Sequence, residues 1–288
     1  MYRIALLIAA LAALPIASPA AEVSGSFSVG ERKLEPAHAT AMRIRDQSAP
    51  RQFHTYVILT EQPVDAAAAI TDIDPYASII NDPGLRDSGA IRLGIRRDGM
   101  VGINAQLDGS GTQYIESTKL GGLDVQIDVD TDERIAGRVR YPKPVDIDGV
   151  PTMLDVRFDT PVLTAARGKP LAKDGGAAGK SFLAFAKAVD DSNFNAAFAL
   201  LSPGMAPQFA KEEWETEEDN ASSGIDILRA WGMRKSKVTA AEAFDDHVVL
   251  EVEGELFEGM RGLELVRMVQ ADGAWRYDGG ARIGLLRD

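Results

Sequence analysis

Apolar and polar residues alternate along most of the first half of the chain. In VSGSFSVG, Val23, Phe27 and Val29 fall on one face of an extended strand and Gly30 opens a turn. The runs FHTYVILT, AIRLGIRRDGMVGINAQL, LDVQIDVDTDERIAGRVRY and TMLDVRFDTPVL read the same way, and Asp98-Gly99 inside the second predicts a hairpin turn. Only PVDAAAAI and DPYASIIN predict short helices. Many short strands with close turn signals predict an all-β antiparallel sandwich or barrel over residues 22–165.

The period then changes. The stretch ARGKPLAKDGGAAG is rich in glycine, alanine and scattered charge, which predicts a linker over residues 166–178. Beyond it Phe182, Phe185, Ala186 and Val189 follow helical spacing. Ser192 is placed to cap a second helix carrying Phe194, Ala197, Phe198 and Leu201, and Ser202-Pro203 to open a third. The rest, MRKSKVTAAEAF, HVVLEVEGELF and RGLELVRMVQADGAWRYDGG, predicts strands, with Val248, Leu250 and Val252 on one face and a hairpin turn at Asp272-Gly273. Helices followed by a meander of strands predict an α+β domain over residues 179–288.

The linker runs into GGAAGKS, which raises the question of a phosphate-binding loop. Such a loop needs four residues between its first glycine and Gly-Lys-Ser, so that backbone N–H groups wrap the phosphates. The position required, 174, is occupied by Asp174, whose carboxylate would repel a phosphate, and no apolar strand precedes it. The spacing therefore excludes that chemistry. DVQIDVDTDER raises the same question for calcium, but Glu133 and Val139 stand where the loop requires glycine and a bidentate glutamate. An antiparallel hairpin accounts for it better, with Asp130 opposite Arg134 and Asp124 opposite Arg140.

The helical opening FLAFAKAVDDSNFNAAFALLSPGM and the closing VQADGAWRYDGG resemble the nuclear-transport-factor-2-like (SnoaL-like, cystatin-like cone) superfamily. That resemblance covers roughly the last 110 residues and implies a curved sheet wrapped around helices, with a conical cavity open at one end. Enzymes of the superfamily place an aspartate base with tyrosine, histidine or aspartate donors inside the cone, whereas other members use it only to bind. The candidate ligand-binding residues here are Trp214, Trp231, His247, Glu251 and Tyr277. His247 sits beside Asp245 and Asp246 in what reads as a hydrated turn, and Glu251 and Glu253 alternate on a strand face expected to meet solvent. No catalytic residue, metal site or cofactor is assigned, because no nucleophile–base order, ligand cluster or cofactor fingerprint occurs.

The N-terminus narrows the setting. Arg3 precedes an apolar run from Ile4 to Leu14, Pro15 breaks it, and small residues follow, which predicts a secretory signal over residues 1–21 cleaved after Ala20, or after Ala21. The run is too short to span a bilayer, and no membrane span is expected. The chain has no cysteine and a net charge of −12, one unit more negative once Arg3 is removed. Disulfides and thiol chemistry are excluded, and nucleic acid is a poor partner for so acidic a surface. The expectation is a non-catalytic periplasmic or secreted envelope protein that binds a protein partner or a small apolar ligand. The C-terminal sheet offers a route to a dimer, and a small-molecule isomerase, cyclase or hydrolase is the alternative.

Overall fold

The computed structural model describes residues 21–46, 49–81, 85, 88–96, 101–107, 112–115, 122–147, 149–209, 233–257 and 259–286. The signal segment, the Asp98-Gly99 turn, Trp214 and Trp231 lie outside the described residues.

The first half builds one eleven-stranded sheet, folded over on itself. One layer holds β1 (Glu22–Val29), β2 (Arg32–Leu34), β8 (Asp124–Asp130), β9 (Arg134–Arg140), β10 (Val145–Ile147) and β11 (Val150–Leu163). The other runs in chain order through β3 (His38–Asp46), β4 (Ala49–Thr60), β5 (Ala90–Ile95), β6 (Val101–Gln106) and β7 (Thr112–Ile115). Strand β11 joins them: it takes β1 along one side and β9 along the other, and its last residues, Val162 and Leu163, pair with Ala41 and Met42 of β3. Phe27, Leu154, Val156 and Phe158 of one layer meet Val57, Leu59, Ile91 and Leu93 of the other in a single core. Alternate residues of the second layer point the opposite way. Met42, Ile58 and Ala90 pack under two short helices, α1 (Ala66–Ala69) and α2 (Pro75–Ile80), through Ala66, Ala69 and Ile79. Both faces of that layer are therefore covered.

The β8–β9 hairpin departs from the charge register read in the sequence. Asp124 stands opposite Arg140 and its carboxylate lies 2.8 Å from the guanidinium, but an irregularity between Ile127 and Val129 puts Ile135, not Arg134, opposite Asp130. Arg134 turns to Asp159 of β11, and Asp130 and Asp132 hold Arg43 of β3. The carboxylates of this loop are spent on a guanidinium from the other layer.

The second half is a five-stranded antiparallel sheet of β12 (Lys169–Pro170), β13 (Arg234–Ala243), β14 (His247–Phe257), β15 (Met260–Ala271) and β16 (Ala274–Leu286). Among the described residues, two helices, α3 (Gly176–Asp190) and the five-residue α4 (Phe194–Phe198), and a 3-10 turn at Ala206–Phe209 fall between β12 and β13. Phe182, Phe185 and Val189 of α3 pack on Val248, Leu250, Val252, Val266 and Met268. Asp272 and Gly273, both at positive φ, close the β15–β16 hairpin.

This corrects the fold class read from the sequence, a wholly antiparallel sandwich or barrel followed by an α+β cone of helices and then sheet. Strand dominates throughout, the first sheet carries a parallel step where β11 meets β3, and the second sheet begins with β12, ahead of any helix of its half. The physical reason lies in unpaired backbone. The free edge of β13 needs partners, and Lys169–Pro170 supply them, with proline tolerated because it sits on a sheet edge. Residues whose composition predicts only a linker are drawn into a ladder. The second helix is also capped by Asn193, whose side chain accepts from the Ala196 N–H, while Ser192 adopts φ 57° outside it.

Gly-Lys-Ser lies inside α3. Gly175 is left-handed at φ 71°, Asp174 Oδ1 accepts from the Gly176 N–H at 3.1 Å, and Ser181 Oγ donates to the Trp275 carbonyl at 2.7 Å. Gly179 lies so close to the Asp174 carbonyl that a Cβ there would overlap its oxygen. Gly179→Ala should therefore cost more than about 2 kcal/mol in urea denaturation, whereas Lys180→Ala, at an exposed position, should stay within about 0.5 kcal/mol. Equal, small effects would show that the helix does not start against Asp174.

Candidate functional site

The second sheet has two working faces. Val248, Leu250 and Val252 turn toward α3, so Val249, Glu251 and Glu253 turn the other way, toward β3 and β4 of the first half. There Glu251 Oε2 takes a hydrogen bond from Arg45 Nη2 at 2.6 Å, and Glu253 bridges Arg51 at 2.7 Å and Arg261 at 2.6 Å. The sequence places this face in solvent; in the fold it is an interface. Alternation identifies a polar face but does not say what lies against it.

Two cavities flank this junction, and Asp72, Ile73, Asp74 and Arg282 wall both. The first, about 580 Å³, lies between the halves and is lined by Phe53, Tyr76, Phe244, His247, Glu251 and Leu265 among others. Its three other arginines are engaged with carboxylates. Arg43 holds Asp130 and Asp132, Arg45 holds Glu251, and Arg167 holds Glu242. His247 is 9% exposed rather than hydrated, with its ring stacked on Phe244 at 4.5 Å and Nδ1 2.6 Å from Asp246 Oδ1. That hydrogen bond holds the Asp246 carboxyl below the usual carboxylate range. Two of the five sequence-named residues, His247 and Glu251, thus line this cavity.

The second cavity, about 800 Å³, is where Tyr277 lies. Phe182, Phe185 and Val189 of α3, with Met205, Phe209 and Met233, form its apolar wall, and Asp72–Asp74 and α2 close it from the first half. The Tyr277 ring stacks on Phe185 at 4.5 Å with 12° between planes. Beside it stands Glu264, which the sequence reading passed over. Glu264 shares a strand face with Val266 and Met268, both fully buried, so the backbone aims its carboxyl inward. Both polar ends converge over Gly280, where a Cβ would collide with the Glu264 carboxyl and reach 3.0 Å from the Tyr277 hydroxyl. Glycine is required there to leave room for the pair.

Electrostatics set this carboxyl apart. Burial pushes Glu264 up to about 7, and the guanidinium of Arg282, its cross-strand partner, only partly opposes that. Burial, and the Glu264 charge after it, raise Tyr277 well above the usual phenol range. Among the described residues neither carboxyl nor hydroxyl has a hydrogen-bond partner. The signal for Glu264 was present in ELVRM, a glutamate on the core side of an alternating strand. It was illegible without knowing which face α3 would cover.

No protein-family model matches the chain, and no curated protein matches it. The chemistry of the site is therefore read from its own geometry.

A carboxyl raised from 4.5 to about 7 binds protons more tightly folded than unfolded, so its contribution to stability is full below pH 4.5 and is lost as pH rises to 7. Glu264→Gln should match wild type near pH 4.5 and exceed it at pH 8 by roughly 1–3 kcal/mol, read from denaturation midpoints across pH. A pH-independent difference would show that the carboxyl is hydrated.

Proposed function

We propose that this is an exported envelope protein that binds a small, mainly apolar molecule bearing one polar group, in the cavity between α3, β15–β16 and the Asp72–Asn81 segment. The observation that carries this reading is the Glu264–Tyr277 pair, two polar ends without hydrogen-bond partners among the described residues, beside the apolar wall that α3, Met205, Phe209 and Met233 build. Ligand sites are mostly apolar cavities of this size with a few convergent polar groups. A ligand that bonds to the half-buried carboxyl and hydroxyl offsets the cost of their partial desolvation. The first half contributes to the wall, so both halves take part.

Binding is preferred to the alternative isomerase, cyclase or hydrolase for a geometric reason. A carboxyl near neutrality suits proton transfer, but a catalytic base must also be held in orientation by a second group. Among the described residues no hydrogen bond orients Glu264. Export rests on the Arg3, Ile4–Leu14 and Pro15 pattern. Among the described residues no helix is long and apolar enough to cross a membrane.

The test uses a neutral solvatochromic dye such as Nile red. The purified chain should enhance its emission with saturable, one-site behaviour, and Ala186→Trp, which projects a bulky ring from α3 into the cavity, should weaken binding by about tenfold or more with the fold intact by circular dichroism. Dye uptake unchanged by the filled cavity would overturn the assignment. Protein recovered from a cell envelope should begin at Ala21 or Glu22; a retained Met1 would overturn export.

A further inference from the structure

The charges around the second cavity are unbalanced. Among the described residues that line it, Glu264, Asp72 and Asp74 carry carboxyl groups and Arg282 is the one cation. They come from every side that carries charge: Glu264 from β15, Tyr277 and Arg282 from β16, and Asp72 and Asp74 from the segment entering α2. Helix α3 adds only Phe182, Phe185, Ala186 and Val189, and the cross-strand neighbour of Glu264 on β14 is Val252. Asp74 already accepts the Ala77 N–H and Asp72 the Ser78 hydroxyl, so Glu264 is the acid free to meet a ligand. Around it stand aromatic rings, the class of group whose π faces attract positive charge: the stacked Phe185–Tyr277 pair, Phe182 and Phe209, with the polarisable sulfurs of Met205 and Met233.

We propose that the ligand is a hydrophobic cation, an ammonium carrying apolar substituents, with its charge beside the Glu264 carboxylate and its apolar body against Phe182, Phe185 and Phe209. The proposal rests on the small-ligand reading above and specifies its chemical class. A neutral guest leaves Glu264 either protonated or ionised with Arg282 as its counter-charge against three carboxyl groups, and an anion meets all three. A cation supplies a second positive charge beside the half-buried carboxyl, where the Coulomb attraction is stronger than in bulk solvent. Its apolar substituents lose little on leaving water, unlike the strongly hydrated ammonium of a lysine.

A matched pair of probes separates charge from shape. Benzyltrimethylammonium and neopentylbenzene have nearly the same outline, but only the first is charged, and its charge does not titrate. Competition against Nile red on the full chain at pH 8 should rank the cation about tenfold or more tighter than its neutral isostere. The preference should shrink by about tenfold between pH 8 and pH 5.5, because a protonated Glu264 no longer offers a negative charge. Glu264→Gln should bind both probes alike, with no pH slope. Since the pH series is run on wild type, the result stands even if the variant folds poorly. If neopentylbenzene binds as tightly as the cation, or the variant keeps the preference, the cation assignment is wrong while the apolar-ligand reading survives. If neither probe displaces the dye, both fail.

Discussion

Two carboxylates on β14, Glu251 and Glu253, hold the halves of the molecule against each other through Arg45 and Arg51. The part the first half plays at the candidate site depends on that contact. It brings Asp72–Asn81, a connection on the outside of the first sheet, across the mouth of a cavity that belongs to the second. The acids are on adjacent outward positions of one strand, so their spacing matches guanidiniums presented by β3 and β4. Partly buried ion pairs contribute modestly to net stability, because desolvation offsets much of the attraction. Their larger effect is positional. Removing one partner leaves a charge facing a surface that no longer suits it.

The opposite face of the same sheet follows a different rule. Against α3 it is largely apolar, with Glu264, the one carboxyl on β15, placed with Val266 and Met268 and opposite Arg282 of β16. Gly280 leaves the space the carboxyl occupies, and Tyr277 and Phe185 stack beside it. A local rule is broken here, a charged residue turned toward a core with no hydrogen-bond partner among the described residues and only Arg282 to oppose its charge. Such departures from consistent patterning concentrate where a protein meets its ligand. The stability lost by burying Glu264 is the other side of the affinity it offers to a counter-charge.

Sequence legibility differed sharply between fold and site. Individual strands, the Asp272-Gly273 hairpin and the apolar stripe of α3 follow from periods of two and 3.6 acting within a few residues. The place of Lys169–Pro170 in a sheet, the parallel step between β11 and β3 and the slipped β8–β9 register do not. Each is decided by backbone groups far along the chain that must find partners. At the site, Tyr277 was visible as a candidate, His247 and Glu251 were visible but belong to the junction, and Glu264 was not singled out.

The sequence by itself determined which residues alternate and which follow a helical period, the acidity of the surface, the lack of thiol chemistry, and the exclusion of a phosphate-binding loop at Gly179-Lys180-Ser181. These are local or compositional properties, carried by neighbouring residues whatever the rest of the chain does. Only the tertiary structure decided that Glu251 and Glu253 meet arginines instead of water, and that Glu264 and Tyr277 share a cavity. Alternation states that a strand has two faces. What covers each face is chosen by segments as far as 206 positions away, and the burial that shifts Glu264 exists only once they have packed.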